Sequence, residues 1–373
     1  MKKEFSLLFA TLLVTLLLVA GIGELVLRIR YGTTSLPREV GGGLPAHLVI
    51  PDKNMGHTLT PGFRGWQLVP GRPNIELKIN QQGLRDYERE LPSSAKAIIV
   101  LGDSYAFGHG VAFEEIWPTL LENKIRAAAN QYYVIKGGIP AASWRQYYQQ
   151  YKRLVGLTER LDLVHPLVIV TFTVDGGERI THGYTTKGGI LVRKNHPHLV
   201  VLDGLVFVKI SHHEWINRVD AFLRSHSYFF RWFNQRIGFF YHNLKRAIHQ
   251  SLMNPIGRAK AREAERPRWQ PELTMKQAVT ILNSISELAK THGARTLVLF
   301  VDYPNGRVNE IAFYEKALSQ KGIPSLDLSK YEGASHLSWR LPKDCHYNEL
   351  GNREIAETVF QFIREKKLLE SIN

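Results

Sequence analysis

"AIIVLGDSYAFGHG", residues 97–110, joins an unbroken apolar run to a loop punctuated by glycine. Five successive apolar residues, β-branched at Ile98, Ile99 and Val100, suit a strand buried on both faces, as in a parallel sheet. Gly102, Asp103 and Ser104 favour turns and end that strand. Ser104 is therefore either a turn residue or a nucleophile at the carboxyl end of a strand, where open α/β sheets collect their ligands. The rest of the chain has to decide.

Outward from this stretch, apolar runs alternate with amphipathic helices, which predicts an α/β fold with a doubly wound, parallel, five-stranded sheet. Expected strands are Ala97–Leu101, Tyr132–Ile135, Leu167–Phe172, Thr296–Val301 and Pro324–Leu328. A helix should run from Pro118 to about Ala129, since proline suits a first helical turn. Others are expected at Ser143–Leu154 and near Glu310–Gln320. Ala278, Ile281, Leu282, Ile285, Leu288 and Ala289 form a 3.6-residue stripe closed by Gly293. The last helix, Glu349–Arg364, turns Ile355, Val359, Phe360 and Ile363 inward.

The alternation breaks from about 176 to 271, too long for an ordinary connection. This insertion reads first as a hairpin of Ile190–Val192 with Leu199–Leu202, then as "SYFFRWFNQRIGFFYHNLKRAIHQ", residues 227–250, aromatic on one helical face and basic on another. That stripe packs on the main domain, touches a membrane or glycan, or lies over the site as a lid. Residues 31–95, rich in glycine and proline, read as a linker plus a small β-rich appendage with a strand at Ile75–Ile79. Residues 96–373 form the main domain around the insertion.

The 373 residues carry 48 Lys and Arg against 34 Asp and Glu, a net charge of +14. Such an excess invites an anionic partner, nucleic acid included. It is regional, because residues 221–270 hold ten Lys and Arg against Glu263 and Glu265 alone. The single cysteine, Cys345, excludes an internal disulfide and a cysteine-based zinc site. At the amino end, Lys2 and Lys3 precede the uncharged apolar run Phe5–Gly23. As a helix that run would span about 28 Å, a bilayer's hydrocarbon thickness. A transmembrane anchor over residues 1–30 is expected, with Val19-Ala20-Gly21 as a weak cleavage alternative. Arg28, Arg30 and Arg38 compete with Lys2 and Lys3 for the cytoplasmic side; we favour the tail inside and the domain outside the cytoplasmic membrane. An anchor there keeps the chain from the nucleoid and no nucleic-acid motif is present, so nucleic acid is not an expected partner.

A serine nucleophile needs a base in hydrogen-bonding reach and a third group to orient it. "DCHYNELGNREIA", residues 344–356, places Asp344 and His346 two apart before the last helix. In a loop that spacing lets the carboxylate take Nδ1–H and leaves Nε2 directed to the sheet edge. The doubly wound reading brings this loop and that of Ser104 to the same edge.

"GDSY" together with "DCHYNELG" resembles the SGNH (GDSL-type) hydrolases, serine esterases and acyltransferases on a flavodoxin-like sheet. The family's second block matches "IKGGIPAAS", residues 135–143, with Gly138 on the motif glycine and Lys136 where asparagine is common. Its third block corresponds to "TFTVDGG", residues 171–177, where Asp175 stands at the asparagine position. "NQQGLRDYE", residues 80–88, is similar to the segment before the serine in membrane-anchored bacterial members. The resemblance implies Ser104 as nucleophile, His346 as base, Asp344 as its orienter, and an oxyanion hole from Ser104, Gly138 and position 175. It implies no metal and no cofactor. An ionised aspartate cannot donate, and losing one oxyanion donor costs about 10²–10³ in rate. A protonated Asp175 or the Gly176 N–H would restore a donor.

The function expected is a serine ester hydrolase that deacylates a cell-envelope carbohydrate or related ester. An O-acyltransferase and a catalytically weakened glycan-binding or assembly factor are the alternatives; the sequence names no protein partner. His109 is a candidate pocket residue or a solvated loop histidine. His212 and His213 lack a ligand spacing for metal. Lys136 is a candidate for an anionic substrate, and Arg85 with Asp86 for a salt bridge. Cys345 lacks a separate base and is not expected to be a nucleophile.

Overall fold

The structure is a computed structural model that describes residues 2–31, 48–52, 54–67, 69, 73–92, 95–174, 184–187, 190–193, 196–202, 206–209, 219, 223, 227–230, 232–233, 271–302, 308–331, 337–342 and 344–370. The chain begins with helix α1 (Lys2–Tyr31), whose window Ala10–Arg30 has mean hydropathy 2.3 and is unburied. Four short strands follow: β1 (Val49–Asp52) pairs antiparallel with β2 (Gly56–Leu59), and β3 (Arg64–Gln67) with β4 (Ile75–Lys78).

The main sheet opens with β5 (Lys96–Gly102), leading into the one-turn α2 (Ser104–Phe107), α3 (Trp117–Ala128), β6 (Tyr132–Gly138), α4 (Trp144–Arg160) and β7 (Val164–Val174). It is completed by α5 (Pro271–Thr291), β12 (Arg295–Asp302), α6 (Val308–Ser319), β13 (Ser325–Asp327) and α7 (Glu349–Glu365). Between the two parts, β8 (Tyr184–Lys187), β9 (Ile190–Arg193), β10 (His196–Leu202) and β11 (Val206–Lys209) make a separate four-stranded antiparallel sheet. The predicted hairpin forms the two central strands of this sheet. The start of the insertion at Gly176, the pair His212-His213 and residues 234–270 lie outside the described residues.

The main sheet has the order β13-β12-β7-β5-β6, and every pairing is parallel. The chain leaves β5 toward β6 on one side and returns through β7 to the other. The crevice between β5 and β7 is therefore the switch point of a doubly wound sheet, where ligands bind.

Both faces of the sheet are covered. On one, Leu121 and Ile125 of α3 and Ile355, Val359 and Ile363 of α7 pack on Ile98, Val100, Leu297 and Leu299. On the other, Leu154 of α4, Leu282 and Ile285 of α5 and Tyr314 of α6 pack on Ile99, Leu101, Val168 and Phe300. Leu59, Leu77 and Leu84 belong to this second cluster, so the β1–β4 segment shares the core of the sheet domain. α4 starts at a capping box in which Ser143 and Gln146 satisfy each other's backbone donors. It runs past the expected Leu154 to Arg160, because Leu157 and Thr158 continue its buried face.

Candidate active site

Ser104 begins α2 directly beyond the carboxyl end of β5 and is 8% exposed. Asp103 caps this turn: one carboxylate oxygen accepts the Tyr105 N–H at 2.9 Å and the other the Thr173 hydroxyl at 2.8 Å. The turn is thus tied to the end of the neighbouring strand β7. Gly108 ends α2 at φ 78°, the left-handed conformation that glycine adopts without strain. The Gly108 and His109 N–H groups both donate to the Ser104 carbonyl at 3.0 Å.

The partner segment approaches from the far end of the chain. Residues 340 and 347 form an antiparallel bridge, with Leu341 N–H donating to the His346 carbonyl at 2.9 Å. Between them Asp344 folds back, its Oδ1 accepting the His346 backbone N–H at 3.0 Å and contacting His346 Nδ1 at 2.6 Å. The Cys345 carbonyl accepts from Tyr105 Oη at 3.1 Å and from the Arg340 guanidinium, pinning the loop above α2. His346 Nε2 then lies 2.7 Å from Ser104 Oγ, across 242 positions of sequence. Hydroxyl, imidazole and carboxylate stand in one hydrogen-bonded row. Such a row can take a proton from the hydroxyl while the carboxylate holds the ring and balances the charge that forms.

Burial disfavours charge on both members of the ion pair, and their mutual contact outweighs it. The Asp344 carboxyl is held well below the usual carboxylate range by His346. His346 is lowered by burial but raised more strongly by Asp344 and Cys345, to about 9. The pairing therefore favours carboxylate with imidazolium, the form in which Nε2–H donates to Ser104 Oγ.

Gly138 ends β6 opposite Gly102. A Cβ at Gly138 would lie 2.4 Å from Phe107 N, so only glycine lets this backbone pass beside α2. Asp175, the third position expected at the oxyanion hole, lies outside the described residues, as does Gly176; β7 is described to Val174.

Other expectations are resolved differently. Lys136 is buried at 2% exposure, bonded to Glu122 at 2.6 Å and Asp86 at 3.2 Å, and faces no anionic substrate. Arg85 forms no salt bridge with Asp86. Its guanidinium donates to the carbonyls of Phe107 at 2.8 Å, Gly108 at 2.6 Å and Val111 at 2.7 Å, clamping the loop after Ser104. Cys345 Sγ is 3.9 Å from His346 Nδ1, which Asp344 already engages. His109 is buried, not a solvated loop residue, and its ring lies tilted against that of His346 with centroids 4.2 Å apart. Gln67, fully buried, donates to the His109 ring and accepts Gly110 N–H at 3.1 Å. His109, Asp344 and His346 each present a ligand atom within 4.8 Å of the others, and Asp344 and His346 are already bonded to each other.

The sequence carried no signal for Gln67 or His57 as neighbours of the site, and it singled out Arg85 only as a salt-bridge partner of Asp86. His57 sits fully buried, its Nε2 at 2.9 Å from the Pro140 carbonyl and its Nδ1 at 2.9 Å from Gln146 Nε2, against the loop after Gly138. A cavity of about 500 Å³ lined by Tyr87, Arg89, Tyr133 and Leu157 lies beyond the β6 edge and includes none of the row.

No family model and no curated protein matches the chain. Among solved structures, TesA aligns over 74% of this chain and 100% of its own at 13% identity and TM-score 0.39. The psychrotrophic esterase EstA from Pseudoalteromonas sp., inhibited by monoethylphosphonate, aligns over 72% and 97% at 12% identity and TM-score 0.38. The acetyl xylan esterase AlAXEase aligns over 72% and 99% at 13% identity and TM-score 0.36. By its sheet order and by the serine, histidine and aspartate gathered at its rim, the chain resembles the SGNH (GDSL-type) hydrolases.

Proposed function

We propose that this protein is a membrane-anchored serine ester hydrolase acting on acylated carbohydrate or a related ester of the cell envelope. The observation that carries the reading is the unbroken row Ser104 Oγ, His346 Nε2, His346 Nδ1, Asp344 Oδ1, with spacings of 2.7 and 2.6 Å. When Nε2 is free of its proton, Ser104 Oγ attacks the ester carbonyl and His346 accepts the hydroxyl proton. The tetrahedral oxyanion is held by the Ser104 and Gly138 N–H groups. His346 returns the proton to the leaving alkoxide, and the acyl group stays on Ser104. Water, deprotonated by the same imidazole, then releases the acid and restores the serine.

α1 crosses the bilayer in this reading, with the amino end in the cytoplasm and the sheet domain outside. Its unburied apolar window supports this, as do Lys2 and Lys3 ahead of it. Proteinase K added to intact spheroplasts should then digest the sheet domain; full protection would reverse the orientation.

The chemical test is fluorophosphonate labelling of the full chain in detergent beside Ser104→Ala. Labelling of the parent alone is the expected result, with hydrolysis of p-nitrophenyl acetate lost in parallel. Absence of label from both proteins would end the reading, and equal label on both would place the reactive group elsewhere.

A further inference from the structure

The end of α1 and a piece of the basic, aromatic insertion are bound to each other. The Glu24 carboxylate accepts the Ser227 hydroxyl at 2.8 Å and the Phe229 N–H at 2.8 Å, and pairs with Arg28 Nε at 2.7 Å. Arg28 lies over the Tyr228 ring, 5.4 Å from its centroid. Gly23 leaves room for Phe229: a Cβ there would sit 2.4 Å from the Phe229 ring. Phe229 in turn stacks with Trp232 at 6.2 Å and Phe233 at 5.9 Å. Tyr228 is buried, while Trp232 and Phe233 are 38% and 45% exposed.

From these contacts we infer that Tyr228, Phe229, Trp232 and Phe233 sit in the membrane–water interface beside the last turns of α1, docking the insertion onto lipid. The inference rests on the reading of α1 as a membrane helix. Gly23, Glu24 and Arg28 lie within the apolar window and span about 8 Å of helix axis. Whatever medium surrounds those turns also meets the aromatic rings packed on them. Indole and phenol rings favour the headgroup layer, where an apolar body and a polar edge are both satisfied. Glu24 fits the same picture. A carboxylate near the end of an apolar stretch is costly unless paired, and here a guanidinium, a hydroxyl and a backbone N–H all satisfy it. The ten basic residues of 221–270 supply charge complementary to anionic headgroups.

Site-directed spin labelling of the full chain tests this. A Cys345→Ser background removes the native thiol, and nitroxides are placed singly through Trp232→Cys and Phe233→Cys. Leu17→Cys serves as the bilayer reference and Leu161→Cys as the aqueous one. The proteins are reconstituted in nanodiscs of phosphatidylcholine and phosphatidylglycerol, and collisions with oxygen and with a water-soluble nickel chelate are compared. Labels at 232 and 233 should favour oxygen, between the two references, and Glu24→Ala should raise their nickel accessibility several-fold. If position 17 reads as lipid while 232 and 233 match position 161, the docking is wrong and the anchor stands. If position 17 reads as water, both fall. Unchanged accessibility in Glu24→Ala would overturn the role of the Glu24 tie.

Discussion

Ser104 and His346 meet because each is held by its own backbone device, a capped turn for the serine and a carboxylate-closed bridge for the histidine. The charge state of that meeting sets the pH dependence. His346 is raised to about 9, chiefly by Asp344 acting against burial. Only the neutral ring accepts a proton from Ser104, so hydrolysis of p-nitrophenyl acetate should climb with pH, pass half its maximum near 9 and level off above it. Replacing the carboxylate by Asp344→Asn leaves burial to dominate, so the rising limb should shift to lower pH. The maximum rate should also fall, by about 10⁴-fold if the amide selects the wrong tautomer. A limb that stays in place would mean that Asp344 does not govern His346. Gly138→Ala pushes a methyl to 2.4 Å from Phe107 N. Overpacking of that kind costs about 1–3 kcal/mol, and fluorophosphonate labelling should drop with the lowered melting temperature.

At the scale of elements, the two loops of the site are held from outside the sheet. The β1–β4 segment and the residues after it contribute Gln67 and Arg85 to the loop after Ser104, and His57 to the loop after Gly138. His57 is fully buried and lowered to about 4, with burial the largest cause. A group lowered in the folded state stabilises the fold above its unfolded value of 6.5 and loses that contribution as pH falls toward 4. The difference corresponds to roughly 3 kcal/mol. Chemical denaturation from pH 7 to 4 should therefore show a steeper loss for the parent than for His57→Gln; parallel losses would remove His57 from the account. These clamps explain what the sequence left unread. Strands β5, β7 and β12 were legible because burial on both faces demands unbroken apolar runs. Asp344 and His346 were legible as a candidate pair because they stand two residues apart and match a known pattern. Arg85, expected to pair with Asp86, and Lys136, expected to face an anionic substrate, were assigned the wrong partners because the sequence shows a cation and not what surrounds it; only the fold brings carbonyls to the one and carboxylates to the other.

Over the whole molecule, two forces compete as the source of the proposed membrane association. The sequence showed both, an apolar amino end and a net charge of +14, and could not weigh them because their spatial relation depends on contacts about 200 positions apart, Glu24 to Ser227 and Phe229. Charge alone would hold the chain peripherally, and about 1 M salt, which shortens the screening length to about 3 Å, would release it. The apolar window of 21 residues acts differently. Burying its side chains in hydrocarbon gains about 25 cal/mol per Å² of apolar surface, a term that salt does not weaken. The full chain should therefore stay in the membrane pellet through washes at 1 M salt and at alkaline pH, and leave only with detergent. Deletion of residues 2–31 should convert retention at low salt into a salt-sensitive association, because the basic stretch 221–270 remains. If high salt alone frees the intact protein, charge is its only attachment, and α1 has to be assigned to something other than a bilayer.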